Sequence, residues 1–133
     1  MMASVNYVSI FVCAVAAMVV GYAWFGPLFG KAWMKEAKVS ESQAKKANMT
    51  SMYIIMFVSA LIEAYVLSVV LGMMGQLTAM SAVTGAFWVW LGFIATTMSG
   101  SVLAEGRSLN YYIITAGYQL VIVAVMGVII ASL

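Results

Sequence analysis

Four apolar stretches, about Val5 to Phe25, Met52 to Leu71, Met80 to Leu103 and Asn110 to Ser132, hold a single charged side chain between them, Glu63. About 20 helical residues cross the roughly 30 Å hydrocarbon core of a bilayer, so each stretch is long enough to span it. With 65% of its 133 residues hydrophobic and 8% charged, the chain carries more apolar surface than a water-soluble fold of this size can bury. The expected fold class is therefore all-α: one four-helix transmembrane bundle with short loops and no separate soluble domain. The first stretch has no basic residues before it and is longer than a signal-peptide core, so it is expected to be a retained span.

The polar residues set the topology. Gly26 and Pro27 are expected to stop the first helix, because proline has no backbone N–H to continue the ladder. "KAWMKEAK", Lys31 to Lys38, then reads as a short interfacial segment with Trp33, Met34 and Ala37 toward lipid and the lysines toward water. Ser40 with Gln43 forms a capping-box spacing ahead of the second span, and Glu41 with Lys45 an i,i+4 pair. Lys31, Lys35, Lys38, Lys45 and Lys46 lie in the first loop and Arg107 in the third, and these loops share one side of a four-span protein. The positive-inside rule makes that side cytoplasmic and puts both termini on the periplasmic or extracellular side.

Composition removes several chemistries. The chain has no histidine, which excludes His-ligated haem, His-containing zinc sites and His proton relays. The lone Cys13 can form no intramolecular disulfide and is read as a packing residue. Twelve methionines raise copper(I) as a possibility, but without His or a Cys pair they are read as adaptable packing. No nucleophile, base and oxyanion set is visible, so neither enzyme activity nor a cofactor or metal is expected, and no nucleic-acid partner.

Glu63 stands out because a carboxylate near the middle of a span costs several kcal/mol unless paired, hydrated or protonated. No basic residue shares its depth, so the expected resting form is the neutral acid, donating to Ser59, Thr96, Tyr118 or Gln119, or else serving as a proton or cation site. Helix association in lipid needs close backbone approach, and Ala17/Gly21, Ala60/Ala64, Gly92/Thr96/Gly100 and Gly127/Ala131 give each span a candidate packing stripe. Thr96, Thr97, Ser99 and Ser101 are read as hydroxyls bonded back to their own helix.

The aromatic stretch "WFGPLFGKAW" lies where the first helix meets the cytoplasmic interface, the depth that Trp prefers and from which Lys reaches water. The turn "AEGRSLN" emerges on the same side. The two are expected to pack as one cytoplasmic-face site comprising Trp24, Pro27, Phe29, Gly30, Trp33, Glu105, Arg107 and Asn110, with Arg107 paired to Glu105 until a lipid phosphate or another subunit competes.

"GYAWFGPLFGKAWMK" and "WLGFIATTMSGSVLAEGRSLNYYIITAGYQLVIVAVMGVI" resemble the bacterial integral membrane family called domain of unknown function 1761, over essentially the whole chain. The residues carrying the resemblance are Trp24, Pro27, Phe29, Gly30, Lys31 and Trp33, then Glu105, Gly106, Arg107, Asn110, Gly117 and Tyr118. It implies four transmembrane helices and residence in a bacterial inner membrane, and no activity. Glu63 lies outside it, so no family-wide proton-coupled mechanism is implied. The leading expectation is a non-enzymatic membrane protein acting by association in the bilayer, as a homo-oligomer or an accessory subunit of a membrane complex. The alternative is a small proton- or cation-coupled transporter or channel using Glu63.

Overall fold

The computed structural model describes residues 6–37, 49–75 and 78–133. Four helices are long and apolar enough to cross a membrane: Tyr7–Leu28, Thr50–Met73, Ala79–Ala104 and Leu109–Ser132. No strand occurs among the described residues, and the chain is a multi-pass membrane protein. Ser40, Glu41, Gln43, Lys38, Lys45 and Lys46, with the capping box and ion pair expected of them, lie outside the described residues.

Packing follows residue size. Ala14, Ala17, Ala60, Ala64, Ala82 and Ala86 are buried, while Phe11, Ile54, Ile62, Trp88 and Phe93 are exposed on the bundle exterior. Lipid tails are as apolar as these side chains, so small residues line the contacts where backbones approach and much of the bulk faces outward, while Leu67, Leu71, Ile122 and Met126 fill the rest of the core. The fourth span packs against the first, the second and the third; the second also lies along the first. A side chain at Gly127 would meet the Ala82 carbonyl at 3.1 Å, which brings the fourth and third spans together. Gly21 sits under the Tyr118 hydroxyl, and Cys13 donates its Sγ–H to the Met126 carbonyl at 3.6 Å. At the far end Asn6 caps the first helix through Val8 and Ser9 and donates to the Leu133 carbonyl.

Two spans contain a wide π-helical turn, and both turns open on Trp-x-Gly: Trp24–Leu28 and Trp90–Ala95. Each tryptophan donates its indole N–H to the fourth span, Trp24 to the Ile114 carbonyl at 3.0 Å and Trp90 to the Ala116 carbonyl at 2.8 Å. A helical carbonyl has a second lone pair, so these bonds cross between helices without breaking the fourth helix's ladder. In return Tyr112 donates its hydroxyl to the Ala95 carbonyl at 2.9 Å, at the end of the second wide turn.

The wide turns overturn two expectations. Pro27 does not stop the first helix; it rides inside the π turn, where the Phe29 N–H reaches back five residues to the Trp24 carbonyl at 2.8 Å. The helix leaves its path only at Phe29 (φ −124°, ψ 10°), and the interfacial helix Gly30–Ala37 begins there. The second correction concerns Gly92/Thr96/Gly100 as the inward stripe of the third span. About five α-helical turns separate positions 82 and 100, which would stack Gly100 over the buried Ala82. The π turn inserts extra length and rotates the remainder of the span, so Ala95 and Val102 are buried while Gly92, Thr96 and Gly100 face outward. The inward stripe is Ala82 and Ala86 instead. Two of the four hydroxyls bond back to their own helix as expected: Thr96 donates to the Gly92 carbonyl and Ser99 to the Thr96 carbonyl, each at 2.8 Å.

Candidate functional site

Two places concentrate polar groups. The first is the end of the bundle that carries Lys31, Lys35 and Arg107. Here the interfacial helix folds back against the start of the fourth span. Gly30 makes the fold possible: a Cβ there would lie 2.5 Å from the Phe25 carbonyl oxygen, closer than any real side chain approaches. Trp24 lies tilted against Phe29 with centroids 4.7 Å apart, Phe25 meets Trp33 edge-on at 5.6 Å, and Phe25 also meets Tyr118 edge-on at 4.8 Å. Trp24, Phe29, Gly30 and Trp33 are thus gathered into one aromatic corner, tied to the fourth span through Phe25, Tyr118 and the Trp24 indole. Pro27 lies exposed on the outside of its turn.

The polar link between the two segments runs through residues that sequence reasoning missed. Ser108 donates its hydroxyl to Glu36, and the same oxygen caps the fourth helix by accepting from the Tyr111 N–H at 3.1 Å. The Ser108 hydroxyl draws the Glu36 carboxyl below its ordinary range against partial desolvation, with Asn110 and Lys35 adding to the effect. A carboxylate at a helix N-terminus is also favoured by the helix dipole. Glu105 and Arg107 pair with each other at 3.5 Å, and the guanidinium lies 4.9 Å over the Tyr111 ring. Asn110 therefore joins the link, whereas Glu105 turns to its own neighbour. A Ser immediately before the fourth apolar run is a readable N-cap signal. Glu36 gave no comparable signal, because its partner lies 72 positions away.

The second place is inside the membrane. A cavity of about 180 Å³ lies between the first, second and fourth spans, and its polar wall is Ser59, Glu63, Tyr118 and Gln119. The rest of its lining is apolar, including Met18, Met56 and Ile122. Ile55 and Ser59 are exposed, so one wall lies at the bundle surface. The Oε1 oxygen of Glu63 is shut off from solvent and has no hydrogen-bond partner among the described residues. Three of the partners expected for Glu63, Ser59, Tyr118 and Gln119, share its cavity; Thr96 is occupied on the outer face of the third span. Among the described residues no three Cys, Asp or Glu side chains converge as a metal site would require.

Four membrane-length helices, a folded-back aromatic corner at one end and a carboxyl-bearing cavity at depth define a small polytopic membrane protein. The chain belongs to the family described as "Protein of unknown function (DUF1761)", whose model matches residues 8–131. No curated protein and no solved structure matches the chain.

Proposed function

We propose that this chain is a small proton- or cation-coupled membrane protein that works through Glu63, and that it is not an enzyme. The observation that carries this reading is the orphaned Oε1 of Glu63 beside a cavity within the span. Buried polar atoms almost always find a partner, and an ionisable group at membrane depth is costly to keep. A carboxyl retained purely as structural glue would spend both oxygens on neighbours. One that must take up and release a proton or a cation needs an unspent oxygen and room beside it, and Glu63 has both.

Association is the second reading, favoured by the outward Gly92, Thr96 and Gly100, with open space in front of both glycines. It complements the first, because four helices alone enclose little more than side chains and a continuous path needs further helices. In this reading the chain acts as a homo-oligomer or beside other membrane subunits. The basic end faces the cytoplasm of a bacterial inner membrane, and both termini face outward, as the charge distribution argues.

The test is flux in liposomes. Purified protein is reconstituted, a pH gradient is imposed, and internal pH is followed with a trapped dye. Wild-type protein should collapse the gradient in a cation-dependent manner and Glu63→Gln, folded to the same extent, should not. Equal flux from both proteins would remove Glu63 from the mechanism.

A further inference from the structure

We propose that the cavity beside Glu63 binds a small organic ammonium ion with an apolar body, and that binding exchanges the Glu63 proton for that cation. The inference rests on the coupled reading above and names the class of cation.

The lining decides between classes of ligand. A hard metal cation such as calcium takes about six to eight oxygen ligands, and even magnesium keeps several waters to fill its shell. This cavity offers oxygen from only four side chains, Ser59, Glu63, Tyr118 and Gln119, and one of those is a carboxyl. A divalent ion would keep a net positive charge inside the bilayer, which is costly. The remaining surface is thioether and hydrocarbon from Met18 and Met56 and their neighbours, which suits carbon rather than a hydrated ion. An ammonium headgroup matches the polar side: it donates up to three hydrogen bonds, and the carboxylate, the Gln119 carbonyl and the Ser59 or Tyr118 hydroxyl each accept one.

Size points the same way. A cavity of about 150 Å³ lined by apolar side chains accommodates a benzene molecule. The space here, about 180 Å³ and open toward the bundle surface at Ile55 and Ser59, has room for a ring or short branched chain bearing one ammonium group. The terminal torsion of a glutamate is broad, so the unpartnered oxygen can turn toward the headgroup at little cost.

Charge balance makes the exchange. With the cavity empty, Glu63 is the neutral acid. When the ammonium ion enters, the carboxyl O–H breaks, the proton leaves to solvent and the carboxylate keeps the electron pair beside the bound cation. Both states are electrically neutral, so neither exposes a lone charge to hydrocarbon. Tyr118 from the fourth span is the other titratable group lining the cavity, and the lining residues of the first span, Ala17 and Met18, carry none.

The experiment uses the full chain in nanodiscs with benzylammonium as the probe and benzyl alcohol as its neutral counterpart. Calorimetric titration in weakly and strongly protonating buffers reads both affinity and protons released. Benzylammonium should bind saturably and release one proton per site, and benzyl alcohol should bind about tenfold or more weakly. Glu63→Gln should weaken benzylammonium by about tenfold to a hundredfold and abolish proton release. Met56→Trp, which fills the cavity and leaves the carboxyl in place, should weaken the probe while retaining the helical circular dichroism of wild type. Equal affinity for the alcohol and the ammonium, binding without proton release, or a Met56→Trp protein that folds and binds normally would each overturn the assignment. Wild-type gradient collapse with sodium alone, lost in Glu63→Gln without any benzylammonium binding, overturns the ligand class and leaves the coupled reading standing. A Glu63→Gln protein with unchanged flux removes that reading itself.

Discussion

The Ser108 hydroxyl donates to the Glu36 carboxylate across 72 positions of sequence while capping the fourth helix with the same oxygen. One side chain therefore starts a transmembrane helix and fastens the interfacial helix to it. Ser108→Ala removes both functions and should cost about 0.5–2 kcal/mol from the cap alone. Thermal unfolding in mild detergent measures it. Glu36→Gln should lower the midpoint less, and the double mutant should fall short of the sum of the singles, since both act on one link. Additive losses would show that the two residues act separately.

The same link has a pH signature. Glu36 is depressed in the folded protein, so its stabilising effect is present above the ordinary carboxylate range and is lost as pH falls through the lower, folded-state value. Docking of the interfacial helix, followed by the fluorescence of Trp33, should weaken only on acidification. In Glu36→Gln that acid-dependent change should be reduced, and an unaltered profile would place its origin elsewhere.

Gly30 and Gly26 should respond oppositely to alanine. At Gly30 a Cβ collides with the Phe25 carbonyl, so Gly30→Ala should destabilise by about 1–3 kcal/mol and loosen the aromatic corner. Gly26 has open space, so Gly26→Ala should be neutral or gain up to about 1 kcal/mol from helix propensity. Unfolding of the two variants side by side is the check.

Replacing Trp24 or Trp90 by Phe keeps the ring and removes one interhelical hydrogen bond. Such bonds average about 0.6 kcal/mol in membranes, and the Ile114 and Ala116 carbonyls keep their own helical partners, so each loss should be small. Replacement by Ala should cost several-fold more. A loss from Trp90→Phe as large as from Trp90→Ala would mean that the indole bond, rather than ring packing, holds the third span to the fourth.

The span count, a separate short segment after the first span and the back-bonds of Thr96 and Ser99 are legible in the sequence because each depends on local composition and spacing. The two π turns were not. A proline next to glycine reads as a helix stop, yet a turn bonded from Phe29 to Trp24 carries the helix past Pro27. The same blindness turned Gly92/Thr96/Gly100 the wrong way, since projection onto an ideal helix contains no added residue at Trp90–Ala95. Glu63 is visible as the one charge inside the spans, and of the four partners that the sequence suggests for it, Ser59, Tyr118 and Gln119 line its cavity while Thr96 does not. That its Oε1 has no partner depends on how three helices pack, which no local pattern encodes.

The outward Gly92, Thr96 and Gly100 separate association from folding. Gly100→Leu should leave the monomer's stability unchanged and reduce oligomer formed in nanodiscs, whereas Gly127→Leu, which collides with Ala82, should destabilise the bundle itself. Sedimentation or single-molecule subunit counting together with thermal unfolding distinguishes the two, and an unaltered oligomer in Gly100→Leu would point to another face.

The state of Glu63 itself can be read by infrared difference spectroscopy, which resolves the carbonyl stretch of a protonated carboxylic acid. At neutral pH, wild-type protein in lipid should show this band, Glu63→Gln should lack it, and addition of benzylammonium should remove it from wild type as the carboxylate forms. A wild-type spectrum identical to that of Glu63→Gln, or a carboxylic-acid band that the ammonium leaves untouched, would contradict proton exchange at this carboxyl.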